Sequence, residues 1–243
     1  MLNGNVRGSL TRDDAQLALR LVARGSDDAL RAAEALLRDG GIDALLDDER
    51  LAPAIVEARA GAHASLPLFF CVVVRQALAA VDEHDHGLAD YVADVCIQFA
   101  DGGRSERIAG HDDQTYGTLA SLVAEVNTAD ASRAFLVRQH LGNYALWLSG
   151  LFPDRIEMHR WRRGAPGLDY YDALGRRGFA LAAEHRLAEE HGLRGVFEQA
   201  AERFVKLRVA LNRVSDTLLF PRRSSPERLM RQVSDEARWR KAS

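Results

Sequence analysis

Apolar residues recur at helical spacing along almost the whole of this chain, and two segments show the pattern without a break. In residues 131–151 and 193–219 the apolar positions lie alternately three and four residues apart. This spacing favours near-parallel helices that pack knobs into holes, either in a bundle core or in a dimer seam. Patterns typical of β-strands are almost absent, so the sequence predicts an all-α protein. The first segment contributes Ala134, Val137, Leu141, Tyr144, Leu148 and Leu151, and the second contributes Leu193, Phe197, Ala200, Phe204, Leu207, Leu211, Val214 and Leu218.

Short polar side chains that can cap a helix mark several of the predicted helix starts. Thr11, Ser26 and Ser65 each precede a periodic apolar segment, and the pair Gly40-Gly41 marks a helix end. The segment 66–81 is apolar on nearly all sides and is predicted to be the central helix. We expect further helices over residues 11–24, 26–40, 87–100, 113–127, 131–151, 154–162, 169–191, 193–219 and 225–241, with a weaker helical segment over 43–60.

Size and composition favour one large helical body. With 243 residues, 47% of them hydrophobic, the chain can bury a substantial core. We expect a single bundle-like domain of about 8–10 helices over residues 1–220. A basic helix should follow as a C-terminal tail over residues 221–243.

The apolar runs and the two cysteines indicate a cytoplasmic protein that does not enter a membrane. The longest apolar run covers residues 66–74, whereas a membrane span needs roughly 20 residues. The N-terminal residues lack the apolar core of a secretory signal. Cys71 and Cys96 both fall in apolar helical patterns and are expected to be small buried thiols.

Charge is distributed unevenly between the two parts of the chain. Residues 1–130 carry 11 Lys or Arg against 22 Asp or Glu, and residues 131–243 carry 21 against 13. Such asymmetry indicates either a basic binding face or an acidic half that docks on a basic half, within one chain or between two copies.

The most distinctive stretch, residues 141–179, interleaves arginines with aromatic residues. It contains seven aromatic residues and six arginines, and the turn 164–167 interrupts it with Gly and Pro. Guanidinium groups bind phosphate or carboxylate, while aromatic rings stack on bases or on guanidinium planes. We therefore predict a surface for an acidic or anionic partner. Its members are Arg155, Arg160, Trp161, Arg162, Arg163, Tyr170, Tyr171, Arg176 and Arg177.

A structural interpretation competes with this binding surface. Trp161 and the two tyrosines can equally pack in the core while the arginines pair with Glu157, Asp169 and Asp172. Six arginines against three carboxylates over residues 155–177 leave a positive surplus under either interpretation.

Two other groups of residues carry chemistry that a site could use. His140, Tyr144 and Trp147 follow one another at helical spacing and could line a ligand pocket. His86, Asp90 and Asp94 share a predicted helix face that could hold a metal ion, but a solvated acidic helix start explains the same pattern. We expect no metal and no cofactor.

Motifs of several enzyme classes are missing from the sequence. It contains no Gly-x-Ser-x-Gly, no Gly-x-x-x-x-Gly-Lys and no Gly-x-Gly-x-x-Gly after a strand, which argues against α/β hydrolases, P-loop NTPases and dinucleotide enzymes. The sequence therefore favours a non-enzymatic interaction or regulatory protein that self-associates as a dimer. One alternative is an all-α enzyme or sensor for a small phosphorylated anion. Another is nucleic-acid binding, to which the tail would add Arg222, Arg223, Arg228, Arg231, Arg238, Arg240 and Lys241.

Overall fold

The computed structural model describes residues 4–100, 106–108, 116–127, 130–222 and 225–242, with side chains given as far as residue 235. Over these residues it contains thirteen α-helices and no β-strand, so the all-α prediction is confirmed. The helices, α1 to α13 in chain order, are Arg12–Ala23, Asp27–Leu46, Leu51–Glu57, Leu66–Ala79, His86–Ala100, Leu119–Glu125, Ala131–Leu151, Pro153–Arg163, Leu168–Ala183, Arg186–Glu190, Arg194–Glu202, Phe204–Val214 and Pro226–Ala242.

The predicted N-terminal caps form as hydrogen-bonded caps. Thr11 and Asp14 make a reciprocal capping box at α1, Ser26 accepts from Ala29 N, and Ser65 accepts from Leu68 N. At the predicted helix end Gly40-Gly41 the backbone leaves the helical conformation, with Gly41 at φ 71° and ψ −169°, so that α2 consists of two helical parts joined at a kink.

Contacts divide the chain into two compact units, Met1–Asp101 and Gly102–Ser243. The expected boundary between a domain over 1–220 and a tail over 221–243 stays a prediction. Among the described residues, no helix has both the length and the apolar character that crossing a bilayer requires.

In the first unit, α4 is the central helix, as the sequence predicts. It contacts α2, α3 and α5, and Cys71, Val72, Val73 and Val74 are all buried along it. A run of consecutive buried residues means that α4 is covered on most sides rather than on one stripe.

In the second unit, α7 has the central position. It packs against α9 and α12 and contacts α6, α8 and α10. The crossing with α9 is close because two glycines meet there: a Cβ on Gly178 would lie 2.6 Å from the backbone N of Gly142. Of the two glycines in the predicted helix 169–191, Gly178 therefore allows a neighbouring backbone to approach, and Gly175 leaves room for the ring of Phe204.

The long apolar seam expected in one helix over 193–219 is divided among three elements. Helices α11 and α12 are separated at Arg203, and a π-helical turn, Ser215–Leu219, follows α12. The seam residues from Leu193 to Val214 are nevertheless all buried. The apolar periodicity thus identifies the buried face correctly but does not reveal the break in the backbone.

Candidate functional site

The predicted anion-binding residues lie on α8, on the turn after it and on α9. Pro153 lies in the first turn of α8, where a backbone N–H has no acceptor within the helix, so the missing N–H of proline costs no hydrogen bond. Gly164 ends the helix in the left-handed region at φ 62°. Arg160, Arg162 and Arg163 all fall in the last turn, where the negative end of the helix dipole favours cations.

At the end of α8, an aromatic ring and two guanidinium groups face solvent. Trp161 is 68% exposed, and Arg162 and Arg163 are also exposed. The charge of Arg162 contributes to the lowered pKa of Glu227 on α13, but in the described part of the chain neither arginine lies within ion-pair distance of a carboxylate. We name Trp161, Arg162 and Arg163, together with Arg155 and Arg160, the cationic surface.

The competing interpretation, in which this corner is sealed by internal pairing, fits the structure at Arg160. Arg160 Nη1 lies 3.4 Å from Glu157 Oε2, and its side chain crosses over Gly167, where no Cβ obstructs it. Asp172 is taken by another cation, since Arg208 Nε donates to Asp172 Oδ1 at 2.9 Å. Burial raises the pKa of Asp172, and the charge of Arg208 acts in the opposite direction.

The predicted residues on α9 do not all join the cationic surface. Tyr170 and Tyr171 form an edge-to-face pair with centroids 5.8 Å apart, and Tyr170 is exposed. Burial and Tyr170 raise the pKa of Tyr171, whereas the charge of Arg155 lowers it, which places Arg155 close to this pair. Arg176 and Arg177 are exposed about two helical turns further along α9.

His140, Tyr144 and Trp147 form a ladder of stacked rings on α7. The centroid distances are 6.1 Å for both neighbouring pairs, with interplanar angles of 6° and 24°. His140 and Tyr144 are only 3% and 7% exposed, and burial raises the pKa of the Tyr144 hydroxyl. This ladder packs inside the second unit, so its first two members are not part of an open surface.

The acidic helix start does not converge on a metal site. His86 Nε2 lies 2.9 Å from Asp47, Asp90 pairs with Arg75, and Asp94 accepts from Gly4 N. Among the described residues, no three His, Cys, Asp or Glu side chains are grouped to hold a metal ion.

The C-terminal helix has a role that the sequence did not predict. Two tail cations assigned to the nucleic-acid alternative, Arg228 and Arg231, are buried and pair with Asp154 of α8 and with Asp216. They are therefore not available to phosphate. Of the other tail cations, Arg222 is exposed, while Arg223 and the side chains of Arg238, Arg240 and Lys241 lie outside the described residues.

The same helix turns apolar side chains outward. Leu229, Met230 and Val233 are 62%, 64% and 58% exposed, on the face opposite to Arg228 and Arg231. We name these three residues the apolar face of α13. In the sequence of α13, the two arginines and the three apolar residues each fall on one helix face. Only the ion pairs with α8 reveal which of the two faces is exposed.

Comparisons with protein-family models, with curated proteins and with solved structures found no match to this chain.

Proposed function

We propose that this protein is a helical interaction protein that binds an acidic protein partner through the cationic surface. The observation that carries the proposal is the exposure of Trp161 beside Arg162 and Arg163, neither of which is within ion-pair distance of a carboxylate among the described residues. Tryptophan and arginine are the residue types most often found at the energetic centre of protein interfaces.

The energetics of the free surface support this proposal. An exposed indole leaves a large apolar area in water, and covering it with a partner would recover part of that free energy. Guanidinium groups next to the ring can pair with carboxylates of the partner while the ring excludes water from the contact. A contact in which the arginines pair with carboxylates and the indole ring is covered requires no change in the fold.

An extended acidic partner suits the geometry better than the two alternative functions. The arginines lie on an open helix end rather than around the buried His140, which the sequence suggests as part of a ligand pocket. For nucleic acid, two of the tail cations are already neutralised by Asp154 and Asp216. The chain as a whole is also slightly acidic, with a net charge of −3.

The test is the binding of fluorescein-labelled polyglutamate, measured by anisotropy. Replacing Arg162 and Arg163 by alanine should weaken binding about tenfold, as two interfacial cations are lost, without changing thermal unfolding. The matched control is Arg12→Ala with Arg38→Ala, which removes two exposed cations elsewhere. If the two double substitutions weaken binding equally, the effect reflects net charge and not the cationic surface. If a single-stranded oligonucleotide binds more tightly than polyglutamate, the nucleic-acid alternative is favoured instead.

We also propose that the protein self-associates through the apolar face of α13, with a second copy as the occupant. A two-fold antiparallel pair would cover this face on both copies at once. Its support is the apolar face itself, since three large apolar side chains of one helix face are each more than half exposed.

The proposed compartment is the cytoplasm. The two thiols support this compartment, because Cys71 and Cys96 are both buried and form no disulfide, as is usual in a reducing environment.

A further inference from the structure

A groove of about 740 Å³ runs along α1 in the first unit, beside the 3-10 turn Arg59–His63 that precedes α4. We name it the α1 groove. The turn contributes Ala60 and His63 to its wall. One face of α1 forms the rest, through four residues that follow one another at helical spacing: Asp13, Leu17, Arg20 and Leu21.

The two sides of the α1 groove are fixed to each other by Asp14. Its carboxylate accepts from Thr11 N and Thr11 Oγ1 at 2.9 and 2.8 Å, and also from Ser65, the capping residue of α4. Burial raises the pKa of Asp14, but these hydrogen bonds outweigh burial and lower it. Asp14 therefore holds the groove in shape and is not itself available to a ligand.

The turn on the other side is also held in place. Gly61 is buried, and a Cβ at this position would collide with the backbone O of Ile55. Ala60 and His63 are exposed on either side of this contact. The wall that they form is therefore present before any ligand arrives.

Three ionisable side chains of the α1 groove are left without a partner. Asp13, Arg20 and His63 are exposed, and within the described part of the chain none of them makes an ion pair or a side-chain hydrogen bond. His63 precedes Ser65 by two residues, and Ser65 bonds the neighbour of Asp13, so His63 lies toward the Asp13 end. One end of the groove thus offers a free carboxylate and the other a free guanidinium, which together favour a ligand with both charges.

The distance between the two free charges sets the length of that ligand. Asp13 and Arg20 are seven residues apart on one helix face, which corresponds to about 10 Å along the axis. An extended peptide of three residues also spans about 10 Å, whereas the charges of a single amino acid lie too close together to reach both ends. Leu17 and Ala60 make the part between the charges apolar, and the volume is typical of sites for small organic molecules.

We propose that the α1 groove binds a short peptide of about three residues with a free ammonium group and a free carboxylate. The ammonium group lies at Asp13 and His63, the carboxylate lies at Arg20, and an apolar middle side chain covers Leu17 and Ala60. The site is independent of the cationic surface and of the apolar face of α13, both of which belong to the second unit.

Four probes test the proposed ligand when titrated into the full chain, with backbone amide shifts followed by NMR. We expect alanyl-leucyl-alanine to cause saturable shifts along α1 and the turn Arg59–His63. Acetylation of its amino end or amidation of its carboxyl end should each weaken binding about threefold, the value of one exposed ion pair. The fourth probe, 6-aminohexanoate, has both charges but no peptide groups or side chain and should bind more weakly than the tripeptide, since it covers less of the apolar wall.

Two variants test which residue recognises which end of the peptide. Asp13→Asn should bind the acetylated and the free peptide equally, because the carboxylate that distinguishes them is gone. Arg20→Gln should likewise bind the amidated and the free peptide equally. The matched controls are Asp39→Asn and Arg38→Gln, which change exposed charges of α2 outside the groove and should keep both differences.

A third variant tests the location. Ala60→Trp fills the α1 groove from an exposed position and should abolish binding of the tripeptide while leaving thermal unfolding unchanged.

Four outcomes would overturn the proposal. Absence of saturable shifts with the tripeptide removes the site, and binding that survives Ala60→Trp places it elsewhere. If the acetylated and amidated peptides bind as tightly as the free one, the terminal charges are not recognised. If 6-aminohexanoate binds as tightly as the tripeptide, the groove does not select a peptide.

Discussion

Two aromatic residues of the second unit differ in exposure and should therefore differ in their contribution to stability. Phe204 is fully buried against Gly175, whereas Trp161 is mostly exposed. Phe204→Ala should cost about 3–5 kcal/mol of unfolding free energy, because a cavity remains where the ring was. Trp161→Ala should change it by less than about 0.5 kcal/mol. Urea unfolding followed by circular dichroism measures both, and a loss below about 1 kcal/mol for Phe204→Ala would contradict its burial.

The two cysteines should be unreactive in the folded protein. Burial raises the pKa of Cys71 and of Cys96 from 9.0 to about 12. Since the thiolate is the reactive form, a disulfide reagent at neutral pH should label neither thiol until urea is added. Gln76→Cys, at an exposed position of α4, is the positive control and should react at once. Rapid labelling of the native chain would show that the thiols are accessible.

The raised pKa of the two thiols also determines how the free energy of unfolding changes with pH. Below pH 9.0 the thiols are protonated in both states, so the stabilisation from keeping them neutral is complete. As the pH rises toward about 12, the unfolded chain ionises first and the folded state loses this advantage. The sequence allowed the burial of both thiols to be predicted, because each lies in an apolar helical pattern.

At the scale of the helix, the crossing of α7 and α9 depends on the missing side chain of Gly178. An added Cβ would lie 2.6 Å from Gly142 N and 3.0 Å from Arg138 O, both backbone atoms. Gly178→Ala should therefore destabilise the protein by about 1–3 kcal/mol, since the two helices must separate. Gly195→Ala, on α11 with nothing within 4 Å of the new Cβ, should instead stabilise it by about 0.5–1 kcal/mol. Tryptophan fluorescence in urea reports on this unit, and equal effects of the two substitutions would contradict the close crossing.

Helix positions were largely predictable from the sequence, whereas helix ends and the site were less so. The helix α7 was predicted with its observed bounds, Ala131–Leu151, from its apolar periodicity, and the structure shows that Asp130 caps it. The break at Arg203 was missed, because the buried positions keep their spacing across it. Exposure of the cationic surface could not be decided, since arginines at this spacing suit internal pairing and partner binding equally well.

At the scale of the whole molecule, the buried ion pairs link parts of the chain that are distant in sequence. Arg228 and Arg231 reach Asp154 across more than seventy residues, and Arg75 reaches Asp43 across 32. Sequence spacing does not indicate such pairs, because nothing local requires them. Each unit therefore contains buried ion pairs between its own residues.

The apolar face of α13 should hold two copies of the protein together. Light scattering coupled to gel filtration should give twice the chain mass of 26.8 kDa for the unmodified protein. Met230→Asp with Val233→Asp should give the single-chain mass, because a dimer would bury two new charges from each copy without partners. Val56→Asp with Leu66→Asp changes exposed apolar residues of the first unit and should leave the dimer intact. A single-chain mass for the unmodified protein at high concentration would exclude self-association, and a dimer that survives the α13 substitutions would place the contact on another surface.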